Sequence, residues 1–420
     1  MRNPCPLLVL LACWLLTACT PFSRASSEEA DSTVAVSESD LTEQARLWAD
    51  SVYSRMTVRE RVGQLLMPAL YASDHPYNLK MLRWYADSLR VGGILLLKGE
   101  VASAAAIADS LASFASASPK PFLAVDAETG LGMRFSDAPL FPWNSDIDRQ
   151  ADENDFFDYG AEVGREARLL GINMVLGPVV DIDRSETEGR GVMKKRSLGS
   201  DQLRVSDLSL AYARGLESRG VMSVVKHFPG HGPTKSDSHE SLPVISTPAD
   251  ELFAIDLMPF RTAVQNGLSC IMVGHIWAPG LDSVRRPASF SPVVIGHLLR
   301  EQMGFRGLVI VDAMGMGAAK GFSSVDAVNA GADIIIAPAA TEREIEALEA
   351  VLADGSLPEG TLADACKRIL FYKYIFSVGE PAFEPEERSH DILKERLREE
   401  APRILDILTH PAKPDDEGKF

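Results

Sequence analysis

The chain has 420 residues and carries 59 acidic against 42 basic side chains, a formal net charge of −17. This balance disfavours nucleic acid and anionic membrane surfaces as partners, because both need a basic face. The length suggests two or three domains, although an α/β barrel runs to about 250 residues as one.

The N-terminal stretch MRNPCPLLVLLACWLLTAC has the pattern of an export signal. Arg2 precedes an apolar run that ends at Leu16, and this run is short for a membrane span. Small residues directly before Cys19 resemble a bacterial lipobox, so residues 1–19 are expected to be a lipoprotein signal with Cys19 as the lipid site. Ordinary cleavage or an uncleaved anchor is the alternative. The polar, Ser-rich residues 20–40 predict a flexible tether. We therefore expect an exported protein that a lipid anchors to a membrane.

Two cysteines remain beyond the signal. Cys270 and Cys366 both stand in apolar surroundings. They are expected to be buried free thiols, and no disulfide framework is indicated.

Two capping signals open the folded part. Asp40 with Glu43, and Thr57 with Glu60, have the spacing of a helix capping box. Each precedes a segment with apolar residues at helical spacing.

Short apolar runs then alternate with helical segments. Most runs are continuously apolar, as parallel strands covered on both faces are. They span residues 63–70, 91–97, 121–126, 173–182, 221–228, 269–276, 307–314 and 332–338. Eight such runs predict an α/β fold, a (β/α)8 TIM-type barrel over residues 41–378 as a single catalytic domain. A doubly wound open sheet is the alternative, but no GxGxxG follows the first strands. Residues 379–420 form a charged tail with one predicted helix.

Polar side chains follow nearly every predicted strand. Because active sites of barrels lie at the carboxyl ends of the strands, this is the predicted site. A strand that ends at the protein surface is often followed by a polar side chain, and this would account for one or two of these residues without any functional role. The residues are Asp126, Glu128, Asp181, Asp183, Lys226, His227, His275 and Asp312.

The loop KHFPGHGPTKSDSHESLP, residues 226–243, is rich in glycine, proline and histidine. Asp237 and His239 are two residues apart, so the carboxylate is able to bond the imidazole and form a general acid/base unit. A loop histidine bonded to backbone is the simpler interpretation. A metal site is the third, but the first strand lacks the HxH that comparable barrel metalloenzymes need. We predict no metal and no cofactor.

Two more acids are candidates for chemistry. Asp312 follows a run too apolar to be exposed, so it is either structural or a nucleophile. Asp126 ends a strand, with Arg134 nearby, and carboxylates at such positions suit sugar hydroxyls.

The sequence resembles glycoside hydrolase family 3, in the branch of the β-N-acetylglucosaminidases. The resemblance rests on KHFPGHG with a downstream DSH, on VDAETG upstream and on VDAMGMGA downstream, and it covers Thr57 to Val378. It implies an exo-acting retaining β-N-acetylhexosaminidase that takes terminal N-acetylglucosamine from peptidoglycan-derived or chitin-type glycans. Asp312 would be the nucleophile, His239 the acid/base and Asp237 its partner. The positions that match sugar-holding residues are Asp126, Arg134, Arg196, Lys226 and His227.

Some positions depart from the family pattern. Ala127 and Thr129 replace the usual residues of a DQEGG motif, Leu131 stands where a second arginine is often found, and Pro233 replaces a common aspartate. These departures are expected to affect the preference for the aglycone more than the catalytic reaction. A β-glucosidase or a phosphorylase of the same fold is the alternative function, because a histidine tolerates an anionic phosphate better than a glutamate does. A non-enzymatic lipoprotein that uses the barrel for binding is the third hypothesis.

Overall fold

The computed structural model describes residues 38–114, 119–184, 193–232, 234, 238, 240–376 and 390–410. Predictions for Cys19, Asp237 and His239 therefore lie outside the described residues. No helix in the described part of the chain is long and apolar enough to cross a membrane.

Within the described ranges, ten short strands form two parallel sheets of five strands each. The strands are β1 (Leu66–Met67), β2 (Ala69–Ala72), β3 (Gly93–Gly99), β4 (Phe122–Val125), β5 (Met174–Val175), β6 (Met222–Ser223), β7 (Val225–Phe228), β8 (Cys270–Val273), β9 (Leu308–Val311) and β10 (Ile334–Ile336). One sheet has the order β1-β10-β9-β8-β7 and the other the order β2-β3-β4-β5-β6.

The two sheets are joined through two interrupted strands. Only Pro68 separates β1 from β2, and only Val224 separates β6 from β7. Each interrupted strand pairs with one sheet through its first part and with the other sheet through its second part. The strands therefore follow one another in chain order around a barrel, although the ladders do not form one closed ring of hydrogen bonds. This order confirms the predicted (β/α)8 barrel and excludes the doubly wound sheet.

Helices surround the strands. They are α1 (Glu38–Arg55), α2 (Val58–Gly63), α3 (Pro76–Arg83), α4 (Val101–Ser113), α5 (Glu153–Leu169), α6 (Gln202–Ser218), α7 (Ala249–Ala254), α8 (Met258–Gln265), α9 (Ser324–Ala330), α10 (Thr341–Ala353), α11 (Glu359–Ile375), α12 (His390–Arg398) and α13 (Ala401–Thr409). Two π-helices span Trp84–Ser88 and Val293–Gln302, and 3-10 turns span Leu131–Met133, Asn144–Asp146, Ala288–Phe290 and Gly317–Ala319.

The two predicted helix starts have different outcomes. Thr57 caps α2, and its hydroxyl and the Glu60 carboxylate satisfy each other's backbone N–H groups as the capping box requires. The prediction for Asp40 was wrong, because α1 already begins at Glu38 and Asp40 lies inside the helix.

The core lies in the barrel and beneath its helices. The side chains of β4, β8, β9 and β10 are all buried, which explains why those runs are apolar without alternation. Cys270 and Cys366 are buried free thiols, as predicted.

The C-terminal tail is also part of the core. Its single predicted helix is two helices, α12 and α13, and Pro402 stands in the first turn of α13. Leu397, Ile404 and Leu408 are fully buried in the main hydrophobic cluster. The amide of Asp148 also donates to the carbonyl of Leu408 (2.9 Å). The tail therefore packs onto the barrel around the segment that follows β4.

Candidate active site

Polar side chains from the ends of β4 and β7 form one buried ion network. Lys226 lies in β7, and its Nζ donates to Oδ1 of Asp126 (2.9 Å) and lies 2.7 Å from Oε1 of Glu128. Arg134 donates to the other oxygen of Asp126 (2.6 Å). Arg196 holds Glu128 through two parallel hydrogen bonds of 2.8 and 2.7 Å. Three cations thus surround two carboxylates at the mouth of the barrel.

The network keeps its members ionised. Burial alone would raise the pKa of Asp126, but Lys226 and Arg134 outweigh it, and the pKa falls below its usual value. Burial would likewise raise the pKa of Glu128, and Lys226 with Arg196 hold it well below its usual range. Burial would lower the pKa of Lys226, but the two carboxylates raise it.

Hydrogen-bonding capacity remains in the network. The Lys226 ammonium has three N–H groups and uses two of them on carboxylates. Each oxygen of Asp126 accepts one bond from a cation and has a second lone pair. A ligand rich in hydroxyl groups therefore finds charged donors and acceptors already fixed in place.

A second cluster is built around Asp181, which is fully buried. Its Oδ2 accepts from Nδ1 of His227 (2.7 Å), and its Oδ1 accepts from the backbone N–H groups of His227 (3.3 Å) and His231 (2.5 Å). Burial would raise the pKa of Asp181, but His227 and His231 lower it. One carboxylate thus fixes both histidines of KHFPGHG.

His227 joins this cluster to the ion network. Its Nε2 lies 3.2 Å from Nη2 of Arg196. Because a guanidinium only donates, this ring nitrogen faces Arg196 as the acceptor.

The glycines of KHFPGHG permit close packing of the loop. Gly230 has φ +116°, a left-handed conformation that favours glycine, and a Cβ at Gly232 would lie 1.7 Å from the carbonyl oxygen of Ile182. The loop continues to Thr234, which contacts the Nδ1 of His231, and to Ser238, whose carbonyl accepts from the amide of Ala318 (3.1 Å). It therefore reaches the segment that follows β9.

Asp312 stands directly after β9, apart from the ion network. Its amide donates to the carbonyl of Val273 in β8 (3.1 Å). Within the described residues its half-buried carboxylate accepts one hydrogen bond, from the amide of Ala313 (2.8 Å), and no cation lies within 4 Å. The carboxylate thus has free lone pairs, which a nucleophile requires.

His275 supports the backbone beside Asp312. Its Nε2 donates to the carbonyl of Ala313 (3.2 Å), and its Nδ1 lies 2.6 Å from the Ser289 hydroxyl. Burial lowers the pKa of His275, although Asp312 acts in the opposite direction. A neutral ring that donates through Nε2 and accepts at Nδ1 satisfies both contacts.

The structure brings together the five residues predicted to hold sugar, which are Asp126, Arg134, Arg196, Lys226 and His227. Their roles stay predictions. Sequence reasoning noted Glu128, Asp181 and His275 as polar strand ends but gave them no structural role. In the sequence, the one sign that these residues belong to the site is their position directly after apolar runs. Their hydrogen-bonding partners depend on tertiary contacts, which the spacing of residues along the chain does not reveal.

The part of the chain that the structure describes contains no group of three or more histidine, cysteine, aspartate or glutamate side chains that could hold a metal. Asp237 and His239 do not belong to that part of the chain, so the prediction of no metal stays a prediction.

A model of the glycosyl hydrolase family 3 N-terminal domain matches residues 57–371. The chain belongs to glycoside hydrolase family 3. It is therefore a glycoside hydrolase, and the match runs from α2, through all the strands, into α11.

Two relatives are named for the removal of hexosamines, and one of them is also named a β-glucosidase. The chain is 32% identical over 266 residues to a β-hexosaminidase of Xylella fastidiosa strain 9a5c, covering 60% of this chain and 77% of the relative. It is 28% identical over 343 residues to a β-N-acetylglucosaminidase/β-glucosidase of Cellulomonas fimi, covering 78% of this chain and 59% of that protein.

Solved structures agree on the barrel. A family 3 β-N-acetylglucosaminidase from Paenibacillus sp. FPU-7 superposes with a TM-score of 0.70 at 30% identity, covering 81% of this chain and 68% of the other. The β-glucoside phosphorylase BglX superposes with a TM-score of 0.77 at 22% identity, covering 87% of this chain and 67% of the other, a likeness of fold alone.

Proposed function

We propose that this glycoside hydrolase is an exo-acting, retaining β-N-acetylhexosaminidase. Its substrates are peptidoglycan-derived or chitin-type glycans that end in N-acetylglucosamine. The observation that carries the proposal is the ion network of Asp126, Glu128, Arg134, Arg196 and Lys226, which presents fixed donors and acceptors to the hydroxyls of one terminal sugar. The relative named β-hexosaminidase supports the choice of sugar.

The first chemical step forms a glycosyl-enzyme. An oxygen of the Asp312 carboxylate attacks the anomeric carbon while the glycosidic bond breaks, and protonated His239 gives its proton to the leaving oxygen. Asp237 orients the imidazole and favours its charged form. The absence of a cation within 4 Å of Asp312, among the described residues, supports a carboxylate that is free to attack.

The second step releases the sugar. His239 takes a proton from water, the hydroxide oxygen bonds the anomeric carbon, and the ester bond to Asp312 breaks. Two inversions at one carbon leave its configuration unchanged.

A substrate panel tests the proposal. The soluble chain that starts at residue 38 is assayed on aryl β-N-acetylglucosaminide, aryl β-glucoside, chitobiose and a muropeptide that ends in N-acetylglucosamine. We expect cleavage of the N-acetylglucosaminides with release of the β-anomer first. A preference for the β-glucoside, or release of the α-anomer, would contradict the proposal.

Phosphorolysis is the second candidate. A histidine acid/base tolerates an anionic acceptor, and the β-glucoside phosphorylase BglX shares the fold. The same panel run with and without inorganic phosphate separates the two reactions, because only phosphorolysis yields a sugar 1-phosphate.

A further inference from the structure

The loop after β8 forms one wall of the barrel mouth. β8 ends at Val273, and Trp277 then pairs with another loop, since its amide donates to the carbonyl of Pro243 (2.9 Å) and its carbonyl accepts from Ile245 (2.9 Å). Pro243 comes four residues after His239 in the sequence. Two residues before Trp277, His275 contacts the carbonyl of Ala313, the residue that follows Asp312.

One buried carboxylate holds this loop in shape. Oδ2 of Asp282 accepts from Nε of Arg286 (2.8 Å) and from the Ser291 hydroxyl (2.6 Å). Oδ1 accepts from the amide of Val284 (2.9 Å), and the backbone carbonyl accepts from Nε1 of Trp277 (3.0 Å). Arg286 is therefore committed to the structure of the loop.

Arg285, the residue before it, is exposed. Its guanidinium carbon lies 5.7 Å from the centroid of the Trp277 ring, within the range of a cation–π contact. Across the described residues, no carboxylate comes within 4 Å of it. In a chain of net charge −17, this cation is oriented by an aromatic ring and remains available to an anion.

The position of Arg285 places it on the side of the leaving group. An acid/base residue protonates the leaving oxygen, so the aglycone departs next to that residue. The Trp277 segment pairs with the chain just after His239, and the sugar network of β4 and β7 belongs to other walls of the mouth.

We propose that Arg285 is a specificity-determining residue that binds a carboxylate on the aglycone, with Trp277 orienting its guanidinium. The inference rests on the proposed function and selects acidic aglycones, such as a sugar with a lactyl ether, over neutral chitin-type ones. Arginine suits this task because its planar fork matches a carboxylate. Inorganic phosphate is the other source of a suitable anion, and the test separates the two.

The test compares two disaccharides that differ only in charge. Both have N-acetylglucosamine β-linked to a sugar with a lactyl ether, as the free acid in one and as the methylamide in the other. We expect the wild-type kcat/KM to favour the acid, and Arg285→Ala to reduce the acid-to-amide ratio by about tenfold, mainly through KM. Arg285→Lys keeps the charge and should retain part of the preference. Salt should weaken the wild-type preference, because the contact is exposed.

Arg306→Ala is the matched control. Arg306 is also exposed, and it stands before β9, at the opposite end of the barrel. The variant changes the net charge equally and should leave the ratio unaltered.

An acid-to-amide ratio that is the same in wild type and Arg285→Ala overturns the inference. A second result would also overturn the inference: inorganic phosphate speeds the turnover of the aryl substrate by the wild type but not by Arg285→Ala. Arg285 would then bind phosphate rather than a carboxylate of the aglycone. The proposed function is judged separately, since its failure appears as no cleavage of either disaccharide.

Discussion

Within the part of the chain that the structure describes, the carboxylate of Asp312 accepts one hydrogen bond, from the next amide, whereas Asp126 and Glu128 are held by two cations each. This contrast separates a group that is free to attack from groups that serve as fixed acceptors. Glu128 would also be a poor proton donor, because Lys226 and Arg196 overcome its burial and keep its pKa well below the usual range. His239 therefore remains the proposed acid/base.

Asp312→Ala tests the proposed nucleophile. Loss of the attacking oxygen should lower kcat by at least about a thousandfold, since the covalent route is then closed. Among the described residues the half-buried side chain makes one local hydrogen bond, so the melting temperature should change little. A mechanism-based fluorosugar should label the wild-type residue, as peptide mass spectrometry would detect. Labelling of a different acid would refute the assignment.

His239→Ala tests the proposed acid/base through the leaving group. Natural glycans need a protonated leaving oxygen, so their kcat/KM should fall by about a hundredfold or more. An activated aryl leaving group departs unaided, and its first step should suffer far less. Azide should restore part of the second step, with a glycosyl azide as product. Equal losses on both substrates without azide rescue would make His239 a structural residue.

The residues of the site were predictable to different degrees. Lys226, His227 and Asp126 follow apolar runs, so their position at the mouth follows from the strand pattern alone. Their partners do not, because Lys226 meets Asp126 across 100 residues of sequence and Arg196 meets Glu128 across 68. Such pairs depend on which strands become neighbours and in which register.

At the level of elements, continuous apolar runs located all eight strand positions. The breaks at Pro68 and Val224 were not foreseen, because the apolar pattern continues through both of them. The division of the tail was missed for a similar reason. The helical periodicity crosses the boundary, and Pro402 is acceptable in the first turn of a new helix.

Asp256 lies between α7 and α8, and its ionisation makes the stability of the fold depend on pH. Its side chain is almost fully buried behind Gly230, and burial, opposed by Arg184, raises its pKa to about 7. Because the folded-state pKa exceeds the unfolded one, the group's contribution to stability is full below about pH 4 and is lost as pH rises through about 7.

Asp256→Asn should therefore flatten the dependence of stability on pH. The wild type should lose roughly 2 kcal/mol of unfolding free energy through this group between about pH 5.5 and about pH 8, and the variant should not. Denaturant titrations at both pH values measure the difference. Asp207→Asn, on the exposed face of α6, is the control and should keep the wild-type slope. An unchanged slope in Asp256→Asn would show that the carboxyl is already ionised at the lower pH.

The tail helices stabilise the segment that carries Arg134. Lys394 lies 3.0 Å from a carboxylate oxygen of Asp137, and Leu397 is fully buried. Leu397→Ala should lower the free energy of unfolding by about 2–4 kcal/mol, as buried leucines do. Leu203→Ala, at a position 56% exposed, should cost less than about 0.5 kcal/mol. Similar losses in the two variants would mean that the tail is only loosely attached.

For the molecule as a whole, the net charge and the N-terminal signal together indicate how the protein could be held at a membrane. The net charge of −17, counted over all 420 residues, disfavours attraction of the chain to an anionic membrane. We propose that Cys19 carries the lipid that holds the protein at a membrane, which would leave the barrel mouth free to meet glycan ends.

Expression of the full chain in a bacterium that modifies lipoproteins tests the anchor. The native protein should enter the detergent phase on partitioning and stay with membranes in high salt, because acyl chains bind through about 0.8 kcal/mol per buried CH₂ rather than through charge. Cys19→Ser should move the protein to the aqueous phase or stop its maturation. Cys13→Ser lies in the same signal and should change neither, which makes it the matched control. Recovery of the native protein in the aqueous phase, with a mature terminus other than residue 19, would mean that the signal is cleaved without lipidation.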